Sequence, residues 1–407
     1  MIPLEQAQNY VLEHISTLRA IAAPIDECLG LCTSEPLHSQ ETIPPFDNTA
    51  VDGFALRSAD LNSLSESPQM DVKVVGTIAA GDGLRHISEA GTAYRIMTGA
   101  MLPEGADAVV MVEDVEECGD SVRLSQVVKA GDNVRRAGTD ISKGSLLFPA
   151  HSILGPAHIG VLASVGYARV PVFQRPRIGV VSTGSELIDG PGPLAPGQIR
   201  DSNRHSLRAV LSTLSVDVVD LGVIVDDEVQ LREGFIGAAK QMDAIVSSGG
   251  VSVGDFDYTK KILDEVSGGE MRWMQVAIRP AKPFAFGLIN GTPFFGLPGN
   301  PVSALVSFEL FVRPALRKML GNTNLMDPQL RALARNDYNR QNDGKTHFVR
   351  ARLTTDPNGQ LEVWPLDKQS SHMLHEMSKA NALIVVPDGK GFMAGEHVMV
   401  KQTSAIE

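Results

Sequence analysis

From Gln174-Arg175-Pro176 onward the chain alternates two apolar patterns, and that alternation limits the fold more than any other feature of the sequence. RIGVVST, DVVDLGVIV and AIVSS are short β-branched runs, while NRHSLRAVLSTL and DEVQLREGFIGAAKQ place apolar residues at helical spacing. Strands separated by helices of this length pair in parallel through right-handed crossovers. The stretch therefore predicts a doubly wound, mostly parallel sheet with helices on both faces. In such sheets ligands bind at the carboxyl ends of the strands. Here those ends carry acids: Glu186 after VVSTGS, Asp226 and Asp227 after LGVIV, and Asp255 and Asp257 after IVSSGGVSVG.

The last of these segments, residues 244–263, compresses a strand, a glycine loop and an acidic helix start. Gly249, Gly250 and Gly254 permit the open backbone angles that turn successive N–H groups toward one anion, and Ser247, Ser248 and Ser252 add hydroxyl donors. A capped βα turn is the bland reading of such a loop, and the string matches neither the dinucleotide fingerprint nor the P-loop. Acids at three strand ends around the loop favour a Mg²⁺-assisted phosphate site, since Mg²⁺ is held by one or two carboxylates together with ligand phosphate.

Cations come from the segment that follows. IRPAKPFAFGLINGTPFFGLPGNPVSALVSFELF sets Arg279 and Lys282 among prolines that limit their drift. PFAFGLI and TPFFGL flank Asn290-Gly291 as a hairpin, and Asn300-Pro301 reads as a helix start with Gly299 and Ser303 beside it. Before the α/β stretch, an amphipathic N-terminal helix leads to PPFDNTAVDGFAL, whose Asp47, Asn48, Thr49 and Asp52 read either as an Asx-turn loop or as a hard-cation or sugar-hydroxyl site. DVKVVGTI, TAYRIMTG, ADAVVMVEDV and SVRLSQVV, separated by glycine turns, predict a small β insert. A helix beginning at Gly155-Pro156 closes that part.

The 407 residues call for two to four domains. A formal net charge of -12 argues against nucleic acid as the partner, while leaving room for a small anion held by local cations. Cys28, Cys32 and Cys118 build neither a disulfide framework nor a C-x-x-C zinc site, which points to a reducing, cytoplasmic setting. MIPLEQAQNYVLEHI lacks the basic start of a signal peptide, and the most apolar stretch, residues 153–173, is too interrupted to span a membrane.

Seven ordered strings, PPFDNTAVDGFAL, YRIMTGAMLPEGADAVV, RRAGTDI, STGSEL, SSGGVSVGDFDYTK, IRPAKPFAFG and LPGNPVSALVSFELF, resemble the molybdopterin molybdenumtransferase family, which is similar to the C-terminal domain of gephyrin. The resemblance implies four units: an elongated N-terminal one (1–43 and 144–173), a β-rich insert (44–143), the α/β molybdopterin-binding unit (174–326) and a C-terminal β-barrel (327–407). HFVRARL, QLEVWPL, ALIVVP and HVMVK alternate as barrel strands should. It implies a reaction in which adenylylated molybdopterin and molybdate give molybdenum cofactor and AMP, with Mg²⁺ or a similar divalent cation.

By the same resemblance, Asp52, Glu186, Asp226 and Asp257 stand at the metal, phosphate and pterin site, with Asp255 as a further acid. Thr98 and Asp140 lie in matching motifs. Ser248, Gly249, Gly250, Ser252, Gly254 and Pro298 belong to the substrate-binding set, and Arg279, Lys282, Ser303, Arg350 and Ser371 bind molybdate and pterin. The chain departs from the family's usual IKPGKP at Arg279 and Ala281. The family implies a homodimer with shared active sites, Asp52 coming from one chain and the α/β residues from the other, and a molybdopterin adenylyltransferase as possible partner. Two alternatives stand beside this reading: an adenylyltransferase, which needs only the central unit, and a gephyrin-like scaffold without catalysis. No nucleophilic Ser, Cys or His is required, and no triad arrangement is visible.

Overall fold

The protein is described here from a computed structural model covering residues 1–65, 69–87, 89–250 and 258–406. The α/β unit follows the alternation in the sequence: β1 Arg177–Thr183, α1 Asn203–Ser212, β2 Asp217–Ile224, α2 Glu228–Ala239, β3 Ala244–Ser248, α3 Tyr258–Val266, β4 Arg272–Gln275, β5 Pro283–Ile289, β6 Thr292–Leu297 and α4 Pro301–Ser307. The sheet order is β2-β1-β3-β6-β5-β4. The first four strands are parallel, and the β5–β6 hairpin and β4 add antiparallel pairings at one side. Asn290 and Gly291 take positive φ values of 48° and 83°, the twist a two-residue hairpin needs.

Side chains alternate between the two faces of this sheet. Ile178, Val180, Ala244 and Val246 pack with Leu207 and Leu211 of α1 and Val302 and Val306 of α4. Val181 and Ile245 pack on the other face with Leu231 and Phe235 of α2 and Ile262 and Leu263 of α3. The doubly wound reading of the sequence is the fold. One element sits elsewhere than expected: the helix Leu4–Glu13 joins the α/β core rather than the elongated unit. Its apolar stripe of Ala7 and Val11, continued by Ile15, is buried in the α1 face, and Ile2 bridges Val276.

The elongated unit is built on Ala20–Pro24 paired antiparallel with Arg169–Phe173, around a core that includes Cys28, Leu31, Leu162 and Val172. Burial pushes the Cys28 thiol up and the Cys32 thiol up to about 11, so both behave as small apolar residues. The insert is a six-stranded sheet in which Gly53–Leu56 lies between Ala108–Met111 and Thr92–Ile96. The C-terminal strands close into a five-stranded barrel: Thr346–Thr355, Leu361–Pro365, Leu330–Ala334, His397–Gln402 and Ala382–Val386, which returns to the first.

A join between barrel and α/β unit positions the site. Ile278–Arg279, read from sequence as proline-stiffened loop, is a short strand paired in parallel with Thr346–His347 of the barrel. Arg279 is therefore anchored by sheet hydrogen bonding as well as by its prolines.

Candidate functional site: an oxyanion cavity beside a glycine loop

Two walls converge where the barrel meets the α/β unit. One is the Arg279–Pro283 segment, and the other is the start of α4, where Asn300 precedes Pro301. Loop 369–372 of the barrel covers them, leaving a cavity of about 520 Å³. Arg279, Lys282, Ser303 and Ser371, all singled out in the sequence, line this space together, joined by Asn300, Lys345, Gln369 and His372. Neither the Arg279 nor the Lys282 side chain makes a hydrogen bond or ion pair among the described residues, and both are exposed. Unpaired cations beside the start of a helix favour an anion.

The covering loop is held from behind. Arg350 is 1% exposed, and its guanidinium donates to Lys368 O (2.7 Å), Met373 O (3.3 Å) and Gln369 Oε1 (3.4 Å). Gln369 Nε2 returns a bond to Arg350 O at 2.9 Å. Burial lowers the Arg350 pKa, yet an arginine remains charged in proteins. Arg350 thus lies behind the loop rather than among the residues that line the cavity. Ser371 meets α4 through its carbonyl, which accepts from Val302 N at 3.1 Å and so satisfies one of the helix's orphan amides.

The glycine loop lies next to this cavity, since Gly249 N donates to Leu297 O at 3.1 Å. Gly249 and Gly250 have φ of 96° and 66°. A Cβ on Gly249 would stand 2.6 Å from Thr183 O, and one on Gly250 would stand 2.3 Å from Thr259 Cγ2. Only glycine fits either position. Around the same strand ends, the buried hydroxyls of Thr183, Ser247 and Thr259 have no hydrogen-bond partner among the described residues, and buried polar groups left this way point to a ligand, a water or a further segment of the loop. Pro298 is buried between β6 and Gly299. Ser252, Gly254, Asp255 and Asp257 lie outside the described residues.

The acids at the two other strand ends separate into distinct roles. Asp227 caps α2, accepting from Val229 N at 3.2 Å and Gln230 N at 2.9 Å. Asp226 instead faces the β1 end: its carboxylate accepts from Ser185 N, and its N–H donates to Ser185 Oγ, both at 3.1 Å. Glu186, next along, is exposed and lies over Gly184, where a Cβ would stand 2.7 Å from Glu186 Oε2. Glu186 and Asp226 are thus exposed carboxylates at neighbouring strand ends.

In the insert, Asp52 and Thr98 come together. Asp52 Oδ1 accepts from Thr98 N and Thr98 Oγ1, both at 2.7 Å, and these bonds hold the carboxyl below its usual range. Asp47 is tied to the RRAGTDI segment by Ala137 N (2.8 Å) and Arg136 (2.6 Å), so the acidic loop is partly internal scaffolding. Asp140 is exposed in that segment, its N–H donating to Ile43 O at 3.1 Å. The hydrogen bonds of Asp52 and Thr98 stay inside the insert, and none of the residues lining the cavity comes from it.

Sequence reasoning passed over a buried charge network under α1. Arg204, 2% exposed, pairs with Asp201, Asp189 and Asp220, and Arg208 also reaches Asp220. Burial opposes its charge, but the three carboxylates more than offset this and push its pKa further up. Ser182 Oγ on β1 donates to Asp201 at 3.0 Å, fixing the helix start to the sheet. The string RDSNRHSL carried no signal beyond an amphipathic helix. A charged Arg at a position facing the sheet was the available clue.

Known proteins resemble this chain along nearly its whole length. The MoeA N-terminal region (domain I and II) matches residues 2–166, the probable molybdopterin binding domain 179–318, and the MoeA C-terminal region (domain IV) 333–403. A molybdopterin molybdenumtransferase of Haemophilus influenzae is 36% identical over 405 residues, covering 98% of each chain. One from Staphylococcus aureus is 33% identical over 408 residues, covering 99% of this chain and 96% of its own. The crystal structure of a molybdopterin biosynthesis MoeA protein from Pyrococcus horikosii superposes with a TM-score of 0.82 at 32% identity, covering 100% of both chains.

Proposed function

This chain belongs to the molybdopterin molybdenumtransferase family, and from that premise we propose that it inserts molybdate into adenylylated molybdopterin, releasing AMP and leaving the molybdenum cofactor. It is a transferase. Neither the adenylyltransferase nor the scaffold reading is favoured: an adenylyltransferase needs only the central unit, whereas the insert and barrel match as well, and the relatives that match over their full length are molybdopterin molybdenumtransferases. The observation that carries the reading is the cavity in which Arg279 and Lys282 stand unpaired beside a glycine loop.

Molybdate is a dianion that must reach a dithiolene while a phosphoanhydride breaks, so charge repulsion is the main obstacle and placed cations are the main remedy. Arg279 and Lys282 neutralise the oxyanion, with Ser303 and Ser371 beside them. The amides at Gly249 and Gly250 and the Ser248 hydroxyl receive the phosphate. Glu186 and Asp226 fit a Mg²⁺ shared with that phosphate, being hard oxygen donors at neighbouring strand ends. When bound, the cation polarises the phosphate.

Asp52 serves the site of a second copy in a homodimer. Its carboxylate is ordered by Thr98 on an insert that supplies no residue to the cavity in its own chain. The protein works in the cytoplasm, where an adenylyltransferase hands over its product. Free Cys28, Cys32 and Cys118 agree with that setting.

Incubation with adenylylated molybdopterin, with and without molybdate, tests the reaction: AMP release must depend on molybdate and disappear in Glu186→Gln. Release that ignores molybdate would overturn the assignment. For the shared site, Asp52→Asn chains are mixed with Glu186→Gln chains, each inactive alone. Random pairing returns roughly a quarter of normal activity if sites are shared, because half the dimers are mixed and each holds one intact site. Continued inactivity in verified mixed dimers would remove the shared-site reading alone.

A further inference from the structure

One side chain joins the two halves of the site. Asn203, at the start of α1, donates from Nδ2 to Ser248 Oγ and to Gly299 O, both at 2.7 Å. Ser248 opens the glycine loop, and Gly299 precedes Asn300, which lines the oxyanion cavity with Ser303. Gly299 O accepts only, so the amide nitrogen must face it. Ser248 Oγ then accepts from Asn203, and its own proton, which meets no acceptor among the described residues, is available to a ligand.

The base of this bridge cannot easily move. Asp201, 5% exposed, accepts from Arg204 N at 3.2 Å, Arg204 Nε at 2.8 Å and Ser182 Oγ at 3.0 Å, and Arg204 is further held by Asp189 and Asp220. Asp220 lies on β2 and Ser182 on β1, so two strands and a helix are clamped just below Asn203.

We propose that Asn203 is a positioning residue that couples the phosphate-binding loop to the oxyanion cavity, so that the nucleotide and molybdate bind cooperatively. The proposal rests on the function above. A phosphate oxygen accepting the Ser248 proton polarises that hydroxyl, and each bond in a hydrogen-bonded chain strengthens the next. The strengthened Asn203 bridge then holds Gly299, and with it the Asn300–Ser303 wall, in the geometry that receives the oxyanion. Coupling of this kind is reciprocal: molybdate must raise the affinity for the nucleotide by the same factor.

The test is calorimetric titration of molybdate into the full-length protein with Mg²⁺, with and without saturating AMP, for wild type, Asn203→Ala and Asn203→Asp. Wild type is expected to bind molybdate at least about fivefold more tightly with AMP bound. In both variants the factor falls to about one; molybdate affinity without AMP stays within about twofold in Asn203→Ala, while the added charge of Asn203→Asp lowers it with and without AMP, so there the coupling factor alone is read. Asn203→Asp breaks both arms, since its carboxylate cannot donate to Gly299 O and the Ser248 hydroxyl turns its proton to the carboxylate and away from the phosphate. An acid in the first turn of a helix is favourable, so this variant keeps its fold. In turnover, the KM for molybdate at saturating pterin substrate rises in both variants while kcat changes by less than about twofold. Absence of coupling in wild type, or its survival in either variant, would overturn the proposal. So would an equal loss of molybdate affinity with and without AMP, the mark of a merely structural residue. Molybdate-dependent AMP release by the wild type, measured alongside, tells failure of the coupling from failure of the assigned reaction.

Discussion

Two arginine-bearing regions lie on either side of Asn203 and spend their charge in opposite ways. Under α1, Arg204 is saturated by three carboxylates and holds β1, β2 and the helix together. In the cavity, Arg279 and Lys282 have no carboxylate partner among the described residues and line open space. Burying a charge requires pairing it, so the first cation belongs to the fold. Leaving a cation exposed in a concave site costs little stability and keeps its field for a ligand. Arg340 repeats the first arrangement in the barrel, with Asp343 and Asp388 as partners.

The largest expected effect tests the structural half of this contrast. Arg204→Met leaves Asp201 buried without its partner and should cost about 3–5 kcal/mol in urea unfolding. A loss below about 1 kcal/mol would mean the network is not what holds the helix start.

Next come the adjacent carboxylates Asp226 and Asp227, which differ only in what they touch. Asp227→Ala removes a helix cap and should cost about 1 kcal/mol of stability while molybdate-dependent AMP release continues. Asp226→Asn should do the reverse, lowering AMP release by about 100-fold at unchanged stability. Matching phenotypes would erase the distinction drawn between them.

Acid should affect the paired region first. His205 and Arg204 hold Asp189 down at about 2, and Lys345 and His347 hold Asp343 down at about 2 although burial works against it. Both values are depressed, so the stability they contribute is fully present above about pH 4 and is lost as pH falls through about 2. Chemical-shift titration of the two carboxyls should place both midpoints well below the ordinary range. Midpoints near 4 would show that these partners do not engage them.

The smallest effect concerns Ala281, buried with φ of 72° between the two cavity cations. A non-glycine residue there carries roughly 1–2 kcal/mol of backbone strain, partly offset by the greater freedom of an unfolded glycine. Ala281→Gly should therefore stabilise the protein by up to about 1 kcal/mol. Destabilisation would mean that the alanine methyl packs well enough to outweigh the strain.

What the sequence disclosed followed periodicity and spacing. Alternating runs placed β1, β2 and β3 and both packed faces, and Asn290-Gly291 placed the hairpin, because local pattern decides such elements. Arg279, Lys282 and Ser303 were nameable through motifs and Ser371 only through the family resemblance, and the fold brings all four to one cavity. What was not legible depended on long-range closure. Pairing of Ile278–Arg279 with the barrel, Arg350 standing behind the loop it holds, and the docking of Leu4–Glu13 on the α/β core join segments tens to hundreds of residues apart. Asn203 escaped notice because an Asn at a helix start is an ordinary sight, and only its two acceptors distinguish it.

The central claim, that the unpaired cations of the cavity serve the oxyanion, is tested most directly by calorimetric titration of Lys282→Ala with molybdate and, separately, with adenylylated molybdopterin. Losing one charge-assisted contact should weaken molybdate binding about 10- to 100-fold and leave pterin binding within about twofold. An equal loss for both ligands would place Lys282 on the phosphates and contradict the account.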